Sequence, residues 1–396
     1  MNIRVRQGDT FWYYSQLFTI SLPLIIDSNR NVNPAAIQVG QIIRIPGFYV
    51  NFYTIQPGDT FWSISNRLGF NFDMLQLLNS TLNPYALQIG QRINVPVRVV
   101  QPIVRGKRRY DYDAVMNDIR QLFEIYPFMD NTSIGNSVMG KEIVELRIGR
   151  GTKNVHLNGS FHAHEWITTP ILMQTLNEYL LALTNRGTIR GLYMPPYYDS
   201  VLLSLVPMVN PDGVDLVIHG APEEEPYRSN VLAINNLRTD FSGWRANIRG
   251  VDLNNQYPAL WEEEAARKPS QPAPRDFPGY RPLSEPESIA IADLTRRGNF
   301  DRVLAYHTQG KVIYWGFQGL EPPESRLIVN EFARVSGFQA IQYVDSFAGY
   351  KDWFIQEWRR PGFTIELGRG VNPLPIADFD EIYQENLGIF LASLYM

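Results

Sequence analysis

The chain contains no cysteine, and this absence narrows the chemistry available to it. Without thiols it can form neither a disulfide framework nor a thiolate zinc site, and it has no cysteine nucleophile. Histidine is also scarce, with five residues among 396. Any transition-metal site must therefore be built from imidazole nitrogens and carboxylate oxygens, and few histidines are available for it.

The sequence also lacks an excess of positive charge and a long apolar segment. The 36 Lys and Arg residues are outnumbered by 40 Asp and Glu, which gives a net charge of −4 and no basic footprint for nucleic acid. The longest apolar stretch, 201–209, is interrupted by Ser204 and Pro207 and is shorter than the roughly 20 residues of a transmembrane helix. We expect neither nucleic-acid binding nor a membrane span. The first residues contain no apolar core of a secretory signal.

A tandem repeat occupies the N-terminal part of the chain. Three pairs of segments match at a single offset: 8–12 with 58–62, 33–34 with 83–84, and 39–46 with 89–96. Three matches at one offset indicate a duplication. In the second copy, Asp59 or Thr60 can cap a helix, because their side-chain oxygens accept hydrogen bonds from its first turn. The apolar residues that follow recur at spacings of three and four and predict one buried face: Phe61, Ile64 and Leu68.

Each copy is thus predicted as strand, helix, helix, strand, and its motifs resemble the LysM module. Two motifs occur in both copies, within residues 2–47 and 51–97. One is Gly-Asp-Thr near the start, and the other is Gly-Gln near the end, followed by an alternating strand pattern that closes with Pro. The resemblance implies binding to N-acetylglucosamine-containing glycans such as peptidoglycan or chitin. The alternative is that the motif only specifies a small stable core. We expect Trp12 and Trp62 to be packing residues rather than sugar platforms.

The remainder of the chain has a different pattern. Residues 98–109 mix β-branched residues, Pro102 and a basic cluster, and are predicted as a linker. From residue 110, an amphipathic helical pattern at 113–125 and a long helical pattern at 167–183 alternate with strand patterns at 143–148, 155–161, 201–209 and 303–306. This alternation predicts an α/β domain over 110–396, with a largely parallel or mixed sheet flanked by helices. The proline-rich segment 262–286 is predicted as an irregular loop bordering a cleft.

Candidate metal ligands stand where predicted strands end. His162 and Glu165 follow the strand that ends at Phe161, and at this spacing both side chains can point at one ion. His307 ends another apolar strand, and Glu366 is embedded in a third. A carboxylate in an apolar strand is costly unless it has a partner or a function.

With these residues in place, the segment 110–396 resembles the zinc carboxypeptidase family throughout. Further motifs occur in the family's order: Asn-Pro-Asp-Gly at 210–213, Gly-Val-Asp-Leu-Asn at 250–254, Ser-Glu-Pro-Glu at 284–287 and Thr-Ile-Glu-Leu at 364–367. The similarity implies that His162, Glu165 and His307 hold one Zn²⁺ per chain and leave a position for water. It implies that Glu366 is the general base.

The same resemblance suggests further site residues. Arg245 occupies the position of the arginine that stabilises the oxyanion, with Arg249 as a nearby alternative. The family's mobile tyrosine precedes an Asp-Trp pair. Tyr343 is the nearer match but stands one residue out of register, and Tyr350 is the alternative.

One departure from the family bears on the substrate. Carboxypeptidases that trim polypeptides have Asn-Arg where this chain has Asn254-Asn255, and a neutral amide cannot replace the bidentate grip of arginine on a terminal carboxylate. The Asn254-Asn255 pair, together with the Glu-Leu-Gly at 366–368 that contains the predicted general base, resembles the branch of bacterial γ-D-glutamyl-diamino acid peptidases. That branch cuts stem peptides of the cell wall before meso-diaminopimelate or lysine. Lys351 and Arg369 are candidates to bind a substrate carboxylate, and Asn254 and Asn255 are further candidates for substrate binding.

Three hypotheses follow for the whole chain. The favoured one is a zinc peptidase tethered to peptidoglycan strands by its LysM modules. The others are a carboxypeptidase acting on ordinary peptide C-termini and a non-catalytic wall or spore protein. Without a visible signal, we expect the cytoplasm of a sporulating cell, or association with the spore or cell wall. The other histidines are predicted to be structural or peripheral: His156 inside a strand, His164 near the site or at the surface, and His219 in a loop.

Overall fold

The computed structural model describes all residues from Met1 to Met396, which form two compact units. The first unit comprises Met1–Ile103 with the segments Ile119–Asp130 and Asn177–Pro196. The second comprises Val104–Asp118, Asn131–Leu176 and Tyr197–Met396. No helix in the chain combines the length and the apolar character that crossing a bilayer requires.

Each repeat in the first unit forms the predicted strand–helix–helix–strand. The first copy contains β1 (Asn2–Arg4), α1 (Phe11–Leu17), α2 (Leu22–Asp27) and β2 (Ile42–Arg44), and the second contains β3 (Phe48–Thr54), α3 (Phe61–Leu68), α4 (Phe72–Leu78) and β4 (Arg92–Arg98). The two strands of each copy pair antiparallel. Thr60 caps α3: its hydroxyl accepts from the Ser63 N–H, and the Ser63 hydroxyl accepts from the Thr60 N–H.

Two expectations for the repeats are wrong. Phe61 and Ile64 are buried in the module core with Leu75 and Ile93, but Leu68 is largely exposed at the end of its helix. Trp12 and Trp62 are 64% and 67% exposed, so neither is a packing residue. In each of these short helices the first, fourth and fifth residues are buried, so the second position, where the tryptophan stands, lies on the opposite face.

The elements from residue 110 onward alternate as the sequence predicts. In chain order they are α5 (Tyr112–Ile125), β5 (Asp130–Asn136), β6 (Glu142–Gly149), β7 (Lys153–Gly159), α6 (Thr168–Thr184), β8 (Thr188–Ile189), β9 (Leu192–Tyr193), α7 (Pro195–Ser200), β10 (Val201–Val206), α8 (Pro211–His219), α9 (Tyr227–Ile234), α10 (Trp261–Ala265), α11 (Pro286–Gly298), β11 (Arg302–Thr308), β12 (Val312–Tyr314), α12 (Glu324–Ser336), β13 (Gln339–Ile341), α13 (Tyr350–Trp358), β14 (Gly362–Leu367) and α14 (Phe379–Tyr395). Short 3₁₀ turns lie at Ala163–Glu165, Leu253–Asn255 and Ile376–Asp378.

A mixed eight-stranded sheet forms the framework of this region, in the order β13-β12-β14-β11-β7-β10-β6-β5. Its centre is parallel, because β11 pairs with both β14 and β7, and β7 pairs with β10. β6 and β12 run antiparallel to their central neighbours. Strands β7, β11 and β14 therefore end at one edge of the sheet, which is the usual place for a site in such a fold.

The contacts of His156 and His219 show whether their predicted positions are correct. His156 is buried in β7, with Nδ1 2.9 Å from the Ser204 hydroxyl, so it is the expected structural histidine. Burial lowers the pKa of His156 to about 3. His219 is not in a loop, as expected, but is the last residue of α8, where Nε2 lies 2.8 Å from an Asp111 oxygen.

Candidate active site

The turn after β7 presents His162 and Glu165 at the edge of the sheet. Hydrogen bonds hold the turn from both sides: the Ala163 N–H donates to the Arg245 carbonyl at 3.0 Å, and the Thr168 hydroxyl donates to the Glu165 carbonyl at 2.9 Å. The 3₁₀ turn places the two ligand candidates on the same side of the backbone. Both side chains are buried.

His162, Glu165 and His307 form a compact group of metal-ligand atoms. Nδ1 of His162 lies 2.8 Å from Oε1 of Glu165, and Nδ1 of His307 lies 2.9 Å from Oε2. The two Nδ1 atoms are 3.1 Å apart. Burial alone would raise the pKa of Glu165, but the imidazoles of His162 and His307 lower it well below its usual value. Two imidazoles and one ionised carboxylate converging on a point are the donor set of a catalytic zinc site.

Asp252 connects this group to Arg245. Its Oδ1 lies 3.2 Å from Nε2 of His162, the ring nitrogen that points away from the group. Its Oδ2 forms an ion pair with Nε of Arg245 at 2.8 Å. Asp252 is fully buried, and although burial opposes ionisation, Arg245 and His162 lower its pKa. A carboxylate that accepts a hydrogen bond from the other nitrogen of a ligating imidazole fixes the tautomer and the orientation of the ring.

Asp252 was not identified as a functional residue from the sequence. The signal was present, since it is the acid of the Gly-Val-Asp-Leu-Asn motif. Arg249, the alternative to Arg245, is largely exposed and lies 3.5 Å from Glu285. The geometry therefore favours Arg245 as the cation of the site.

Glu366 lies on β14 directly beside His307 of β11 in the parallel register. Burial, followed by the negative charge of Glu165, raises its pKa to about 8. A carboxylate with a pKa near neutrality can accept and return a proton under physiological conditions.

Asn210 fastens the two chain segments that carry the site. Its Nδ2 donates to the Phe161 carbonyl at 3.1 Å and to the Ala246 carbonyl at 3.0 Å. These carbonyls belong to the residues next to His162 and Arg245. A Cβ on Gly213 would lie 2.6 Å from the Asn210 amide and 2.8 Å from the Ala246 carbonyl, so only glycine fits there. This contact gives the Asn-Pro-Asp-Gly motif a physical role.

Asn247 organises the loop between Arg245 and Asp252 and was also missed from the sequence. Its Oδ1 accepts from the N–H groups of Arg249 and Val251, at 3.0 and 3.1 Å. Its Nδ2 donates to Glu285 at 2.8 Å and to Glu287 at 3.3 Å. The Ser-Glu-Pro-Glu motif thus anchors the loop through a buried amide.

The two candidate tyrosines occupy different environments. Tyr350 is fully buried, and its hydroxyl lies 2.9 Å from that of Thr295. A side chain enclosed in the core cannot contact a substrate, so the proposed substrate role of Tyr350 is not supported by its position. Tyr343 is 53% exposed and donates a hydrogen bond to Glu321 at 2.9 Å. It lines a cavity of about 520 Å³ together with Phe347 and Asp352.

The four substrate-binding candidates that remain differ in their contacts: Asn254, Asn255, Lys351 and Arg369. Asn254 accepts a hydrogen bond from the Tyr350 N–H at 3.0 Å. Lys351 is buried, donates to the Gly316 carbonyl at 2.8 Å and forms an ion pair with Asp352, so its charge is already compensated. Asn255 is buried with no partner for its Nδ2, and Arg369 is exposed.

His164 is buried beside His162, with ring centroids 6.4 Å apart, and lies outside the ligand group. Burial lowers the pKa of His164 to about 4. Both observations agree with its predicted place near the site without a ligand role.

Comparisons with known proteins agree with this geometry. Residues 115–388 match the family model "Zinc carboxypeptidase", and residues 3–46 and 53–96 match "LysM domain". The chain is 64% identical over 396 residues, the whole length of both proteins, to Gamma-D-glutamyl-L-diamino acid endopeptidase 1 of Lysinibacillus sphaericus. It is 45% identical to the uncharacterized protein YqgT of Bacillus subtilis, over 74% of this chain and 79% of that protein.

Solved structures show the same fold at lower identity. Carboxypeptidase A from Helicoverpa armigera matches with a TM-score of 0.55 and 20% identity, over 83% of this chain and 80% of that one. Thrombin-activatable fibrinolysis inhibitor matches with a TM-score of 0.58 and 16% identity, over 78% and 88%. With two LysM domains ahead of a buried group of two histidines and one glutamate that can hold zinc, the chain is a zinc metallopeptidase and belongs to the zinc carboxypeptidase family.

Proposed function

We propose that this enzyme hydrolyses the γ-D-glutamyl bond to the diamino acid, meso-diaminopimelate or lysine, in peptidoglycan stem peptides. The observation that carries the proposal is the 64% identity, over the full length of both chains, to a relative named for this reaction. The ligand group, Arg245, Asp252 and Glu366 are all present, with Asp252 paired to Arg245 and Glu366 beside His307, which counts against a non-catalytic role.

The residues of the site divide the work of peptide hydrolysis among them. Bound zinc would supply a Lewis acid for the scissile carbonyl and lower the pKa of a water molecule. Glu366 takes the proton of the attacking water and returns it to the leaving amine. Arg245 stabilises the negative charge that develops on the carbonyl oxygen. Asp252 keeps both His162 and Arg245 oriented.

Substrate selection in this proposal depends on which residue binds a substrate carboxylate in place of the arginine that this chain lacks. Lys351 is buried and already paired with Asp352, so it offers no free charge to a substrate carboxylate. Arg369 is the exposed cation that follows the catalytic strand and is the better candidate for a substrate carboxylate. Asn255 has an unpaired buried Nδ2 and can donate a neutral hydrogen bond. Tyr343 is the exposed tyrosine that can approach a bound peptide.

The LysM modules bring the enzyme to its substrate. We propose that they bind N-acetylglucosamine-containing strands, which associates the protein with cell wall or spore peptidoglycan. Tethering raises the concentration of stem peptides around the site, so that weak affinity at the site suffices.

Digestion of purified muropeptides, followed by mass spectrometry, tests the proposed reaction. We expect free diamino acid peptides and γ-D-glutamyl products from the native enzyme, and none from Glu366→Gln at equal zinc content. Hydrolysis of hippuryl-type peptides at rates equal to muropeptides would favour the carboxypeptidase alternative instead. Zinc binding without Glu366-dependent cleavage of any peptide would establish the non-catalytic alternative.

A further inference from the structure

The two LysM modules of the first unit are joined by an ion pair. Arg6 of the first module donates two hydrogen bonds to Asp73 of the second, each 2.6 Å long. The Tyr13 hydroxyl donates to the same carboxylate, and Asp9 contacts the guanidinium of Arg6 at 3.2 Å. A bidentate pair of this kind fixes direction as well as distance.

The repeat does not account for this contact. Fifty positions away from Arg6 and Tyr13 the second copy has Gln56 and Ser63, and the counterpart of Asp73 in the first copy is Pro23. All three contact residues are therefore specific to one copy. Together with the three-residue connection between β2 and β3, they hold the modules in one arrangement.

A cleft of about 970 Å³ lies between the modules held in this way. One wall is the end of α1, with Gln16 and Thr19, and the other is the end of α3 and the following turn, with Asn66 and Asn71. The antiparallel pair of strands β3 and β4 lines it through Phe52 and neighbouring residues. This volume lies within the range of small-molecule sites and has room for several sugar units.

The lining of the cleft is polar but offers no free charge. Carboxamides come from Gln16, Asn51, Asn66 and Asn71, and Phe52 is 59% exposed. The one guanidinium, that of Arg98, is already used: it lies 4.5 Å from the centre of the Phe48 ring and donates to the Phe18 and Thr184 carbonyls.

Such a lining matches a neutral N-acetylated sugar. The acetamido and hydroxyl groups of the sugar can pair with carboxamides, and its apolar ring face can lie on an aromatic side chain. A stem peptide would bring carboxylates that find no counter-charge in the cleft.

We propose that the cleft between the two LysM modules is a binding site for an N-acetylated glycan segment, formed jointly by both modules. The inference rests on the proposed glycan binding by this enzyme and adds a site that neither module has alone. The ion pair of Arg6 with Asp73 is the contact that maintains it.

Calorimetric titration of the full-length enzyme with chitotetraose and chitohexaose tests the site. Asn66→Trp fills the cleft from an exposed helical position, and Asp73→Asn weakens the contact between the modules. Ser80→Trp, exposed and outside the cleft, is the matched control. We expect both test variants to bind chitohexaose about tenfold more weakly, as for loss of a central contact, and the control to bind like the native enzyme.

The outcomes separate the two proposals. Native-like binding by Asn66→Trp would overturn the cleft site while leaving glycan binding by the modules intact. No binding of either oligosaccharide by the native enzyme would overturn glycan binding itself, and the cleft site with it. Equal weakening by Ser80→Trp would also count against the cleft, because it would show a general effect of surface tryptophan.

Discussion

Asp252 lies 3.2 Å from His162, between Oδ1 and Nε2, and its other carboxylate oxygen pairs with Arg245 at 2.8 Å. One buried carboxylate therefore orients a zinc-site imidazole and the cation proposed to stabilise the oxyanion. The backbone reinforces the same link, since the Arg245 carbonyl accepts from the Ala163 N–H next to His162. Zinc affinity and turnover should consequently be coupled through this residue.

Replacing Asp252 by Asn should weaken both functions. We expect zinc affinity to fall by about 10- to 100-fold, the usual effect of losing a carboxylate behind a ligating histidine. Competition with a zinc chelator measures this, and kcat at saturating zinc reports the effect on Arg245. Asp276→Asn, which removes a carboxylate 3.7 Å from Arg245, is the matched control and should leave zinc affinity unchanged. Equal zinc affinity in Asp252→Asn and the native enzyme would contradict the prediction.

Arg245→Gln should reduce kcat by about 100- to 1,000-fold with a small change in KM, because its charge acts on the transition state. Steady-state kinetics on a defined muropeptide measures the effect. Arg249→Gln serves as the comparison and should remain close to the native enzyme, since Arg249 points toward Glu285. The reverse order of effects would assign the role to Arg249.

Removal of zinc by dialysis against a chelator should abolish hydrolysis, and one equivalent of Zn²⁺ should restore it. The LysM modules contribute no residue to the ligand group, so binding to purified peptidoglycan should be unchanged in the zinc-free protein. Pelleting with insoluble peptidoglycan measures this retention. Activity that survives complete zinc removal would refute the metal site.

Glu287→Gln should make thermal stability less dependent on pH. Burial, followed by Asp212 and Glu285, raises the pKa of Glu287 to about 8, whereas its unfolded value is 4.5. Between these two pKa values the folded protein retains a proton that the unfolded chain has lost. The contribution of Glu287 to the free energy of unfolding therefore falls as the pH rises from about 4.5 to about 8.

Glutamine cannot ionise, so the Tm of the variant minus that of the native enzyme should increase across this window. Scanning calorimetry at several pH values provides the measurement, with Glu263→Gln as an exposed control. A difference that stays constant with pH would contradict the assignment.

The two tyrosines should respond differently to loss of the hydroxyl. Tyr350→Phe removes a buried hydrogen bond to Thr295 and should cost about 1 kcal/mol of stability with little change in kcat. Tyr343→Phe should leave Tm nearly unchanged and lower kcat/KM for muropeptides. A fall in kcat/KM for Tyr350→Phe alone would reverse the proposed roles.

The sequence by itself indicated the domain types and the candidate zinc ligands. The duplication is visible because the second copy retains short motifs at one offset, and each copy folds as the strand–helix–helix–strand it predicts. His162, Glu165 and His307 were chosen through the resemblance to zinc carboxypeptidases, and the absence of cysteine and the small number of histidines agree with that choice. Local chemistry of this kind requires no knowledge of distant contacts.

Other features depend on which distant residues the fold brings together. Asp252 becomes functional through its distance to His162, which lies 90 residues away in the chain. Asn247 matters because Glu285 and Glu287, at the start of α11, accept hydrogen bonds from it. Tyr350 is no longer a candidate because the core encloses it. The type of a side chain and its spacing in the sequence do not predict these contacts.

The same reason applies to the LysM modules. Repeated residues reveal each module, but Arg6, Tyr13 and Asp73 differ between the copies and mark the contact that joins them. Trp12 and Trp62 are side chains typical of a core, but they lie on the helix face opposite the buried residues and are exposed to solvent. The sequence determined what the modules are and which residues can hold the metal. Only the tertiary structure decided which charged and aromatic side chains contact one another, because these contacts depend on distances that folding creates.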